Sequence, residues 1–189
     1  MSEFTLTVGE CCDERRSSQC ISHIQELGLN PNVSCFQSQE GGLKKTFLLL
    51  NLATVGVFLN YSASLVSKST NELMNDAAFM NLPFWQESFW IPQDFAPAKA
   101  FENDDDGPFF FGSSLQLLAT LDFIKSVSRI PLGPVPPAYD LMVQDLRSFY
   151  RDFKGIDGEQ GCIQWVWRGL YDGATLAVQN KLPMAGNGL

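Results

Sequence analysis

Between Lys45 and Lys68 the chain runs TFLLLNLATVGVFLNYSASLVS, 22 residues without a charge. A bilayer span needs about 20 predominantly apolar residues, so the length suffices. Asn51, Thr54, Asn60 and several serines, however, are each costly in hydrocarbon. The run is therefore expected to be buried core rather than a membrane segment, and membrane association is disfavoured. Its internal pattern allows two structures. Val55, Val57 and Leu59 alternate as in a strand, whereas unbroken apolarity suits a buried helix equally well. A strand pair leads to an α+β fold, with a small N-terminal βαβ-like sheet packed against a predominantly helical C-terminal half. A single helix leads to the alternative, an all-α bundle.

The flanking sequence favours the first. Phe4-Thr5-Leu6-Thr7-Val8 alternates like a half-buried strand. A helix is expected from about Cys11 to Leu27, with Cys20, Ile21, Ile24 and Leu27 on one face and Gly28 as its stop. Val33 to Phe36 reads as a second strand, and Glu40-Gly41-Gly42 as a tight turn into a third. Further on, Asn71 to Met80 is a short helix candidate. Ser113 or Ser114 can cap a helix to about Val127. Pro131, Pro134, Pro136 and Pro137 make a stiff connector. Tyr139 to Phe153 spaces Met142, Leu146, Phe149 and Phe153 on one helical face, and Ile163 to Leu176 reads as another helix. One globular domain is expected over residues 1–181, with a Gly-rich flexible tail at 182–189.

Charge narrows the partners. The net charge is −8 and the pI about 4.5, with no cluster of Lys and Arg to replace phosphate counterions, so nucleic acid is not an expected partner. Five cysteines, an odd number, together with an acidic N-terminus unlike a signal peptide, point to reduced thiols and a cytoplasmic protein.

Chemical motifs are sparse. Glu102, Asp104, Asp106 and Gly107 match positions 1, 3, 5 and 6 of an EF-hand loop, but Ser113 stands where calcium needs a bidentate glutamate. The triple aspartate therefore reads as a solvated loop. Gly41-Gly42-Leu43-Lys44-Lys45-Thr46 lacks the glycine that a phosphate loop requires before its lysine. His23 is the only histidine, so no His-rich metal site exists, and neither a metal nor a cofactor is expected. The most specific constellation is a helical stripe of Cys12, Arg16, Cys20 and His23. Arg16 lies one turn from both thiols, and His23 is spaced to deprotonate Cys20. The preferred reading is nonetheless structural thiols on a core face, with His23 at its edge.

Aromatic density is the remaining signal. Phe84, Trp85, Phe89, Trp90, Phe109, Phe110 and Phe111 crowd a Pro-interrupted stretch, and Trp165 adds another ring. Large rings of this kind read as buried core. Equally, repeated Phe-Trp pairs in a segment with few regular-structure signals are hard to bury completely and suggest an exposed contact surface or apolar groove. The expected function is thus a non-catalytic binding domain for a protein partner or a hydrophobic small ligand. The alternative is a small enzyme acting on an apolar molecule by Asp/Glu acid–base or Cys–His chemistry. A homo-oligomer formed through the aromatic region is a further option.

Overall fold

The computed structural model describes residues 3–37, 45–85, 87–102, 107–133 and 158–188. The chain begins as foreseen, with strand β1 (Glu3–Val8) and helix α1 (Glu14–Glu26). Asp13 caps α1 by accepting from the Arg16 amide at 2.9 Å. Gly28, at φ +76°, takes the left-handed conformation that ends it. Val33–Phe36 forms a 3-10 turn instead of the expected strand. Its carbonyls and amides bond locally, Cys35 N to Asn32 O and Gln37 N to Ser34 O, so none is offered to a sheet.

The uncharged run splits. Lys45–Asn51 is strand β2, and Leu52–Leu65 is helix α2, buried through Val55, Phe58, Leu59, Ser62 and Ala63. The alternation of Val55, Val57 and Leu59 was thus a coincidence inside a helix. Among the described residues no helix is long and apolar enough to cross a membrane. A short α3 (Thr70–Met74) follows, closed by a capping box in which the Ser69 and Glu72 side chains bond each other's backbone amides.

The aromatic region supplies three strands: β3 (Glu87–Ile91), β4 (Lys99–Phe101) and β5 (Phe109–Ser113). Helix α4 (Ser114–Val127) starts on the Ser113 cap, and α5 (Glu159–Asn180) includes the expected Ile163–Leu176 segment. The chain then enters β6 (Met184–Gly188). This corrects the expected tail at 182–189. Pairing with two neighbouring strands holds the glycines that, read alone, suggest mobility.

The six strands among the described residues form one mixed sheet in the order β2-β1-β6-β3-β5-β4. β3 and β5 run parallel, and the remaining neighbours are antiparallel. The fold is α+β. The expected turn at Glu40-Gly41-Gly42, the helix at Tyr139–Phe153 and the aspartates Asp104–Asp106 lie outside the described residues.

Strand alternation sends side chains to two cores. Phe4, Leu6, Val8, Trp90, Phe110 and Met184 pack with α2, α4 and α5 through Phe58, Leu117, Leu121, Val166 and Leu170. Phe89, Ile91, Phe109, Phe111 and Ala185 pack on the opposite face with Cys20 and Ile24 of α1 and with Cys35 and Phe36. The sheet is therefore covered on both sides. Asn81 ties its centre to the helices: its buried side chain accepts from the Ser113 amide at 2.8 Å, and its carbonyl accepts from Trp90 Nε1 at 2.9 Å.

Close packing leaves no room at Gly186, where an added Cβ would stand 2.6 Å from Phe4 Cζ and 3.1 Å from Trp90 Cζ3. Gly186→Ala is expected to lower stability by about 1–3 kcal/mol, because both rings are themselves locked in the core. Urea unfolding measures it; an unchanged midpoint would contradict the packing. Ending the chain at Lys181 removes β6 altogether, and the truncated protein is expected to lose its cooperative unfolding transition by circular dichroism.

Candidate functional site

Each aromatic side chain expected at a contact surface has a defined place. Phe89 (4% exposed), Trp90 (0%), Phe109 (0%), Phe110 (1%), Phe111 (0%) and Trp165 (8%) are core residues. Phe84 and Trp85 are half-buried and pack against the same core. Phe95 and Phe111 stack at 5.0 Å between ring centroids, and Phe101 and Phe109 at 4.9 Å. Phe89, Trp90, Phe109, Phe110, Phe111 and Trp165 are thus buried in the core rather than forming an exposed patch.

The helical stripe proposed from sequence is real as a stripe, since Arg16, Cys20 and His23 are all buried on α1. Its members separate in chemistry. Arg16 pairs with Glu87 of β3, lies 3.6 Å from Asp13, and places its guanidinium 5.1 Å from the centroid of Phe109. His23 donates its Nε2 proton to the Pro97 carbonyl at 3.0 Å and meets Phe95, Phe101 and Phe111 edge-on. A carbonyl only accepts, so this bond assigns the proton to Nε2. His23 is thus committed to a wall of phenylalanines and a backbone carbonyl, and the expected His23–Cys20 acid–base pair is replaced by a packing role.

The thiols instead converge on Cys12. Its Sγ lies 3.5 Å from Cys11 Sγ and 3.4 Å from Ser17 Oγ. Donation from Cys11 and Cys20 lowers the pKa of Cys12. Cys11 is raised by giving its proton to Cys12 and by burial, and Cys20 is raised chiefly by burial. Burial also raises Cys35. The contacts of Cys12 with Cys11 and Ser17 were missed in the sequence: Cys11 and Cys12 lie ahead of α1, where side chains have no helical periodicity to follow. No group of three or more His, Cys, Asp or Glu side chains among the described residues is arranged to hold a metal.

Among the described residues exposed carboxylates outnumber exposed basic groups, which are Arg15, Lys68, Lys125, Arg129 and Lys181. Asp13, Glu14 and Glu26 on or beside α1, Glu72 on α3, Asp94 and Glu102 flanking β4, Asp122 on α4 and Glu159 at the start of α5 are exposed. Several have fixed neighbours: Glu26 lies 3.5 Å from Lys99 Nζ, and Asp94 accepts from Gln116 at 2.6 Å. On α5 Asp172 pairs with Arg168, while burial pushes its pKa up.

Comparison with known proteins bears on this acidic surface. Residues 84–185, from just before β3 into β6, match a family described as "Putative DNA-mimic protein". The match covers more than half of the chain, and the protein belongs to this family. No curated protein and no solved structure matches it. Family membership overturns the expected hydrophobic small ligand and the alternative of an enzyme on an apolar molecule. It also redirects the expected partner: a protein that mimics DNA meets proteins that bind DNA, which is the connection to nucleic acid that the charge balance had been taken to exclude.

The Arg16–Glu87 pair bridges α1 and β3 with unequal exposure, 8% for the Arg16 side chain and 31% for Glu87. Removing the carboxylate leaves a guanidinium that water reaches poorly, whereas removing the guanidinium leaves a carboxylate that water reaches. Glu87→Gln is therefore expected to cost about 1.5–3 kcal/mol. Arg16→Met, which keeps an apolar stem against Phe109, should cost clearly less. Urea midpoints of the two variants decide the order, and the reverse order would contradict this account.

Proposed function

We propose that the protein is a non-catalytic DNA mimic that occupies the DNA-contacting surface of a DNA-binding protein. The observation that carries this reading is the family match over residues 84–185 in a chain of net charge −8. The physical logic is direct. A DNA-binding surface gains affinity by pairing Lys and Arg with phosphates and releasing counterions. A folded protein that presents carboxylates from several rigid elements offers the same charges without a nucleic acid. The exposed Asp13, Glu14 and Glu26 around α1 and Asp122 on α4 are suited to that use, since each is held by a helix or its cap. Burial of the aromatic residues supports it as well, by leaving polar groups to cover the outside.

The expected behaviour is competition with DNA. Proteins retained on duplex-DNA cellulose are challenged with this protein, and each one released is purified and titrated by fluorescence anisotropy against labelled duplex. A true partner binds duplex or this protein but not both, and its affinity for this protein falls steeply as salt rises from 50 to 200 mM, as expected when several charge contacts are made. Release of no protein, or a ternary complex with DNA, overturns the reading.

A further inference from the structure

We infer that the α1 side of the sheet, with the segment 28–33 that follows the helix, is where a DNA-binding protein seats its DNA-contacting face. The inference rests on the DNA-mimic reading and adds to it the location and the make-up of the contact. Charge is divided between the two covers of the sheet. Of the exposed basic residues among those described, Lys68, Lys125, Arg129 and Lys181 lie on or just beyond α2, α4 and α5, and only Arg15 lies on α1. The exposed carboxylates of that helical cover, Glu72, Asp122 and Glu159, are therefore balanced by cations of the same cover. On the α1 side the exposed Asp13, Glu14 and Glu26 keep an acidic excess. Arg16 is buried and paired with Glu87, and Glu26, although 3.5 Å from Lys99 Nζ, leaves 66% of its side chain open.

Carboxylates alone would gather small counterions as readily as a protein. The segment after α1 supplies a second kind of contact, because Leu29 is 40% exposed and Val33 53%. Their backbone is braced: the Asn32 amide donates to Gln93 Oε1 and Gln93 Nε2 donates to the Asn30 carbonyl, each at 2.8 Å. Glu26 precedes this segment and Asp94 adjoins Gln93, so an exposed carboxylate stands at each of its anchor points. Glu87 and Gln93, which hold α1 and the segment in place, both fall within the residues that match the DNA-mimic family. A DNA duplex offers the same two features, phosphates along its backbone and thymine methyls in the major groove. A protein that reads it carries Lys and Arg for the first and apolar side chains for the second. The α1 side complements such a face in both respects, and its braced backbone needs little ordering on contact. The other exposed apolar pair, Phe123 and Val127 on α4, shares its stretch of chain with Lys125 and Arg129, cations that would repel the same partner.

The test compares the full wild-type chain with Glu14→Lys/Glu26→Lys on the α1 side and Asp122→Lys/Glu159→Lys on the helical side. The two doubles carry the same net charge, and each changes one first-turn glutamate, of α1 or of α5, so a difference between them reports position. Circular dichroism shows first that each is folded; a double that is not is replaced by its Gln or Asn counterpart. Binding is read by fluorescence anisotropy with labelled oligolysine at low salt, and by the protein that each form releases from duplex-DNA cellulose. The α1-side double is expected to bind oligolysine about tenfold more weakly than the helical-side double, and to release no protein. Leu29→Ser/Val33→Ser is expected to keep its oligolysine affinity but to release clearly less protein, since its charge is intact and its apolar contact is gone. Equal losses in the two charge doubles, or a larger loss on the helical side, overturn the assigned surface. A wild type that binds oligolysine through the α1 side yet releases nothing overturns the DNA-mimic reading instead, and the docking role with it.

Discussion

The sheet depends on β6. This last strand lies between β1, the first element of the chain, and β3, pairing antiparallel with both from Met184 to Gly188. Without it β2-β1 and β3-β5-β4 would be two small sheets, each with a row of unpaired amides and carbonyls facing the other. Its side chains serve both cores at once: Met184 points to the α2–α4–α5 side and Ala185 to the α1 side. Gly186 lets Phe4 and Trp90 close over the backbone. A strand of small residues is what this position requires, because larger ones would hold the flanking aromatics apart.

Around that strand, the division of polar and apolar groups bears on function. Aromatic rings from β3, β5 and α5 saturate two cores and leave carboxylates on the helices and loops outside. Two buried polar side chains of α1 are tied down: Arg16 is anchored by Glu87 across α1 and β3, and His23 by the Pro97 carbonyl. A rigid scaffold with acidic groups on several elements suits a protein recognised through its charge, since carboxylates that need not be ordered on binding cost less entropy. Cys11 and Cys12 lie side by side just ahead of α1, Cys12 within the core on the α1 side of the sheet.

Some of this was legible in the residues. β1, α1 and α4 carry one clear period each, and two helix ends carry signals that the structure uses: Gly28 beyond α1 and Ser113 before α4. The stripe of Arg16, Cys20 and His23 follows from helical geometry alone. Other elements hid for physical reasons. β5 is buried on both faces, so Phe109 to Phe111 show no alternation and resemble an exposed aromatic run. Val55, Val57 and Leu59 alternate within a helix because α2 is apolar on most of its sides. In β6, Gly186 and Gly188 resemble a mobile end until the neighbouring strands are known.

Composition by itself determined the acidic character, the lack of a His-based metal site and the presence of amphipathic helices, because these follow from residue counts or from contacts a few positions apart. Tertiary structure alone decided that the aromatic stretch is core, that the C-terminal residues are the centre of the sheet, and that His23 serves Pro97 rather than Cys20. Each of these rests on partners distant in sequence, as Phe4 is from Gly188 or Arg16 from Glu87. Local pattern records what a segment prefers; only the fold supplies the surface against which that preference is kept or overruled.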